Sequence, residues 1–191
     1  MLTFLFKRLF IMDTNYKPAP EFDIQQWLNT TESLDLAALK GKVVVVFAFQ
    51  MLCPGCVEHS IPQARLVHSL FSDEDVAVIG LHTVFEHHAA MGYESLKAFL
   101  HEYKIKFPVA IDNPANQGPI PKTMRKYNMG GTPTLLLIDR QGRLRKNKMG
   151  QEHDLVLGAE IMALIQEDKA SESLSSESLS ESSVCTPEGC D

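Results

Sequence analysis

Unbroken apolar runs alternate along this chain with stripes of apolar residues at helical spacing. The run 43–49 is rich in valine and too short to cross a bilayer, so it reads as a buried strand. Just past Cys53, residues 57–71 carry Ile61, Ala64, Val67, Leu70 and Phe71 at helical spacing, and 76–81 is a second unbroken run. Together they predict a βαβ unit with a parallel strand pair. Residues 95–103 repeat the helical stripe with Leu96, Phe99 and Leu100; 107–111 is a short strand, and 122–127 a helical turn before Gly130 and Gly131. The pattern then changes. Residues 134–138 and 143–149 flank the turn Asp139-Arg140-Gln141-Gly142 as an antiparallel hairpin, and 153–165 reads as a closing helix. The predicted fold class is α/β, a mixed central sheet with helices on both faces.

Composition divides the chain into three parts. Residues 1–20 are an N-terminal extension ending in a loop-like stretch with Pro18 and Pro20, and 21–167 form one globular domain. From Asp168 the chain turns to a near-repeat of Ser and Glu with almost nothing to bury, so 168–191 is expected to be a disordered tail. The net charge of −6 gives no electrostatic reason to expect a polyanion, which argues against a nucleic-acid partner. No membrane-spanning run is present. Residues 1–12 are apolar but broken by Lys7-Arg8 and lack a small-residue cleavage site, a poor signal peptide that leaves at most a short anchor. A cytoplasmic monomer is the expectation, with Met12 an alternative start.

The four cysteines form two close pairs, Cys53/Cys56 and Cys185/Cys190. A strand that delivers Cys53 to a helix N-terminus puts its sulfur where unpaired N–H groups and the helix dipole favour the thiolate, the reactive form. Pro54 suits the first helical position, and Cys56 lies on the same turn, within disulfide reach. Cys53 is then the candidate nucleophile and Cys56 the resolving thiol. Cys185 and Cys190 are a candidate second dithiol on a tail whose coil span, about 20–25 Å for ~17 linker residues, could reach the first pair.

Four segments in order, 39–47, Cys53-Pro54-Gly55-Cys56, Gly131-Thr132-Pro133-Thr134 and 137–142, make the chain resemble the thioredoxin superfamily. Within it the resemblance is to the TlpA-like redoxins that group with the AhpC/TSA proteins, and it runs from Glu21 to Ile165. It implies a thiol-disulfide oxidoreductase with no metal or other cofactor. Its partners would be a disulfide-bearing protein and a reductant such as a thioredoxin or glutathione system. Pro133 would be the cis-proline facing the dithiol, with the backbone of Thr132 pairing with an extended substrate; the residues alone also allow Pro133 to open an edge strand. Leu52 stands where thioredoxins carry Trp, and Phe47 where thioredoxin carries a buried Asp. His59 stands where TlpA-like proteins often carry Glu, which makes it the candidate to move the proton of Cys56. Pro62 falls six residues after Cys56 rather than five, an extra residue that bears on the aim of Cys56 and His59. His82, Glu86, His87 and His88 follow the second strand and are expected to flank the dithiol.

Two other functions fit parts of the pattern. A redoxin peroxidase would attack peroxide with one thiolate, but it carries Thr where this chain has Gln50. A protein binding zinc or a soft metal could use Cys53, Cys56, Cys185 and Cys190.

Overall fold

The computed structural model describes residues 16–180, with side chains as far as Glu167. Its strands are β1 (Ile24–Leu28), β2 (Val43–Phe49), β3 (Val76–His82), β4 (Val109–Asp112), β5 (Thr134–Ile138) and β6 (Leu144–Met149). They form one sheet in the order β1-β4-β3-β2-β5-β6. β2 is parallel to β3 and antiparallel to β5, and all seven of its residues are buried. A strand covered on both faces has no polar side, which is why it reads as an unbroken apolar run.

The two faces of β2 divide the core. Val43, Val45, Phe47 and Phe49 pack with residues of α1 (Ile61–Leu70), α2 (Tyr93–Glu102) and α4 (Asp154–Ser180). Val44, Val46 and Ala48 pack on the other side with Met124 of α3 (Lys122–Lys126) and with Leu36 and Leu39. The expected mixed sheet with helices on both faces is present.

β1 is an addition to the predicted elements. It is a short edge strand, only partly buried, and its pairing with β4 is irregular between Ile24 and Gln26, so its sequence IQQWL shows no clean alternation. Residues 17–19, assigned by composition to the extension, hydrogen-bond to the β5–β6 turn through Ala19 N–H to Gly142 O at 2.9 Å and Leu144 N–H to Lys17 O at 3.0 Å. The closing helix, predicted to stop at Ile165, continues in the backbone to Ser180 because no Gly or Pro follows Gly158 within it. Among the described side chains its buried residues are Leu157, Ile161, Leu164 and Ile165, all in the predicted part. Cys185 and Cys190 lie outside the described residues, as does the remainder of the tail for which disorder is expected.

The β5–β6 turn shows how local chemistry fixes the hairpin. The Asp139 carboxylate accepts the N–H groups of Gln141 at 3.1 Å and Arg143 at 2.8 Å, while Gly142 takes the positive φ of 82° that a side chain disfavours. β6 is the far edge, and it is charged. Lys146 pairs with Glu152 and Glu160 at 2.6 Å, and Lys148 with Glu152 at 2.8 Å. Charges along an edge strand discourage pairing with another chain.

His82 ends β3 inside the core, 2% exposed, with its ring 5.3 Å from that of Phe49. Its Nε2 has no hydrogen-bond partner, and burial lowers its pKa to about 4. The histidine is therefore neutral in the fold and protonates more readily when the chain unfolds. Because the folded value is depressed, the associated stability is present above about pH 6.5 and is lost as pH falls through about 4, a loss of roughly 3 kcal/mol. Urea unfolding midpoints of the wild type should fall over that window, and those of His82→Phe should fall less; equal falls would show that His82 is not the titrating group.

Candidate active site

The chain leaves β2 through Gln50 and reaches Cys53, whose carbonyl accepts the N–H groups of Cys56 at 3.0 Å and Val57 at 3.1 Å. Cys53 thereby caps a helix that starts at Pro54. Proline is at home there because the first N–H of a helix has no intrahelical acceptor. The Cys56 N–H also donates to Cys53 Sγ at 3.4 Å, as an N-terminal N–H donates to a capping side chain. That N–H is placed to serve the sulfur when it carries negative charge.

Residues Cys56–Ser60 form a π-helical turn, with the Ile61 N–H bonded five residues back to the Cys56 carbonyl, before α1 continues as a regular helix. A π turn is a one-residue insertion into an α-helix. It takes up the extra residue between Cys56 and Pro62. The insertion also rotates the face that Cys56 shares: Ser60 and Ile61 are buried with it, while His59 points outward. The placement of His59 beside Cys56 is thus corrected. Its side chain is 46% exposed and lies 4.0 Å from Glu58, on the solvent side.

The Thr132–Pro133 peptide bond is cis, as the resemblance implied. It lies opposite the dithiol: a Cβ built on Gly55 would stand 3.5 Å from Pro133 Cδ, and Cys53 Sγ donates to the Thr132 carbonyl at 3.4 Å. Cys53 is half-buried and Cys56 fully buried, both as free thiols. The Cys56 pKa is pushed up to about 12, first by burial and then by its hydrogen bond with Cys53. The Gln50 backbone and the Thr132 side chain act in the opposite direction.

Gln50 is the residue whose part at the site the sequence did not disclose. It is 1% exposed, and its Nε2 donates to Glu86 Oε1 at 3.3 Å and to Thr132 Oγ1 at 3.4 Å. Its visible marks were to be the first polar residue after seven apolar ones and to stand where a redoxin peroxidase carries Thr. Of the residues that follow β3, Glu86 reaches the site through Gln50. His82 is buried against Phe49, and it lines with His88, Met91 and Tyr93 a cavity of about 200 Å³ that includes neither cysteine of the dithiol. Among the described residues no group of three His, Cys, Asp or Glu could hold a metal ion, and no helix is long and apolar enough to cross a membrane.

A dithiol at the C-terminal end of a central strand, facing a cis-proline across a mixed sheet, defines a thioredoxin-fold dithiol protein. The redoxin family model matches residues 14–160. The chain belongs to the redoxin family, among the thiol-disulfide oxidoreductases of the thioredoxin superfamily. It is 59% identical to the crystal structure of a thioredoxin-like superfamily protein, SPOA0173, over 78% of this chain and 97% of that one, with a TM-score of 0.77. It is 51% identical to a thiol-disulfide isomerase from Corynebacterium glutamicum over the same shares, with a TM-score of 0.76. Thiol-disulfide oxidoreductase ResA of Bacillus cereus is 28% identical over 136 residues, 71% of this chain and 70% of that protein. Protein DipZ of Mycobacterium tuberculosis is 32% identical over 67% of this chain, which spans 18% of that relative's length.

His59 is exposed, and among the described residues no hydrogen bond joins it to Cys56. His59→Ala should leave the lifetime of a mixed disulfide on Cys53 within about twofold of wild type, the usual range for a surface substitution. Single-turnover release of the resolved thiol measures it, and a markedly longer lifetime would return the histidine to the site.

Proposed function

We propose that the chain exchanges electrons between the Cys53/Cys56 dithiol and the disulfides of protein substrates, with Cys53 attacking and Cys56 resolving. The observation that carries this reading is the asymmetry of the two sulfurs. Cys53 is partly open at the helix start, whereas Cys56 is 0% exposed with its thiol form favoured. An incoming disulfide meets Cys53 first.

In the reducing direction the Cys53 thiolate attacks one sulfur of the substrate disulfide, the S–S bond breaks, and the other sulfur leaves as a thiolate. The Cys56 thiol can supply the proton that this leaving group needs. Once Cys53 is tied up in the mixed disulfide it no longer raises the Cys56 pKa, and burial alone opposes ionisation. The Cys56 thiolate then attacks Cys53 Sγ, forms the Cys53–Cys56 disulfide and expels the second substrate sulfur, which takes a proton from water. Two electrons have passed to the substrate, and a cellular thiol reductant of the thioredoxin or glutathione type restores the dithiol.

The surroundings suit a polypeptide. Leu52, 58% exposed, adjoins Cys53, and Met149, 59% exposed, packs over Gly131 beside the cis-proline. These apolar side chains stand ready to receive residues that flank a substrate cysteine, and the Thr132 backbone offers an extended segment its pairing groups. The missing tryptophan is replaced here by aliphatic surface.

Reduction of insulin disulfides in the presence of dithiothreitol tests the assignment. Cys53→Ser should abolish it, and Cys56→Ser should accumulate protein linked to substrate through Cys53, visible by mass spectrometry. Full turnover by Cys53→Ser would overturn the reading.

A further inference from the structure

Cys56 must lose a proton inside the fold before it can resolve the mixed disulfide, and the helix face that would carry a base presents His59 to solvent instead. What surrounds the sulfur comes from two other segments. Gln50 follows β2 and Thr132 precedes β5, 82 residues apart in sequence.

The amide of Gln50 can be oriented without ambiguity. The Phe85 N–H donates to its Oε1 at 3.2 Å, and an N–H can meet only the oxygen of an amide. Both hydrogens of Nε2 are then directed to Glu86 Oε1 and Thr132 Oγ1. Since Thr132 Oγ1 accepts from Gln50, its own hydrogen is free to turn to another acceptor. Thr132 stands against the dithiol, its carbonyl accepting from Cys53 Sγ at 3.4 Å while the Cys56 N–H donates to that same sulfur, and its side chain acts to favour the Cys56 thiolate.

From this arrangement, and resting on the resolving role assigned above to Cys56, we infer that Gln50 is a positioning residue for the resolving step. It holds the Thr132 hydroxyl as a hydrogen-bond donor to the Cys56 thiolate, and Glu86 and the Phe85 N–H hold Gln50. No proton passes through the amide. The proton of Cys56 leaves with the first substrate thiolate or to solvent, and the Thr132 hydroxyl stabilises the negative sulfur left behind until it attacks Cys53. The titratable neighbours are few. Cys53 faces Cys56 from its own turn, Glu86 stands beyond Gln50 on the segment after β3, and Glu58 and His59 face water.

The test follows both chemical steps in one trace. Reduced protein is mixed with 5,5′-dithiobis(2-nitrobenzoate) in a stopped-flow instrument: attack by Cys53 releases one coloured thiolate, and resolution by Cys56 releases the second. Gln50→Leu should slow the second release relative to the first by about tenfold near neutral pH, the worth of one hydrogen bond to a charged sulfur, and should move its pH–rate midpoint upward. Thr132→Val should do the same, and the double variant should be no slower than either single one, because both remove the same donor. Thr132→Ser keeps the hydroxyl and should recover the wild-type profile. A wild-type midpoint in Gln50→Leu, or a Thr132→Ser variant as slow as Thr132→Val, would overturn the inference. If Gln50→Leu fails to fold, the Thr132 pair decides. Release of both thiolates by Cys53→Ser would instead overturn the dithiol reading on which the inference rests.

Discussion

The pairing of β2 with β3 on one side and β5 on the other sets where every reactive atom of the site can stand. β3 runs parallel to β2, with Phe49 beside His82, so the segments leaving both strands emerge at the same end of the sheet. β5 runs antiparallel, with Ala48 beside Thr134, so the segment entering it arrives at that end too. Three loops converge there: 50–56 with the dithiol, 83–86 with Phe85 and Glu86, and 131–133 with the cis-proline. The central strand is buried at all seven positions and β5 beside it at all five, so the pairing that aims the site lies wholly inside the core. A one-residue shift of β5 against β2 would carry Pro133 away from Gly55 and exchange the leucines that β5 sends to the two halves of the core.

The fold was legible wherever one physical signal dominated. Seven consecutive apolar residues could only be a doubly covered strand, and the Asp139-to-Gly142 turn could only close a hairpin. β1 was hidden because an edge strand with two glutamines and an irregular ladder satisfies neither the alternating nor the continuous pattern. The π turn was visible only indirectly, as a proline one residue late. Counting residues exposed the insertion, but not that the helix would absorb it by widening one turn and so move His59 rather than Cys56. Gln50 was read only as the residue in place of the peroxidase threonine, and its contacts were not legible. Its partners lie 36 and 82 residues away, and a buried amide acquires meaning only when those distances close.

Burial separates the chemistry of two thiols that are three residues apart. Cys53 and Cys56 share one helical turn and one hydrogen bond between the N–H of the second and the sulfur of the first. Their environments differ because the helix starts at the surface and its first turn tilts into the core, where Met51, Ile61 and Ala64 belong to the same apolar cluster as Cys56. In such surroundings the neutral form of a thiol is favoured, and the Cys56 sulfur is shielded from solvent.

The π turn and the Gln50 network can be seen as two sides of one arrangement. The π turn leaves His59 exposed, and the side chains that approach the dithiol from the Gln50 side are uncharged. Thr132 and Gln50 are neutral over the whole range in which a thiol ionises, so a donor made of them keeps the same strength throughout. The single charged member, Glu86, is exposed and touches only the outer hydrogen of the Gln50 amide. A buried carboxylate in the same place would oppose the thiolate it is meant to help, because like charges at close range raise each other's pKa. Holding the charge one amide away orients the donor while sparing the sulfur that repulsion.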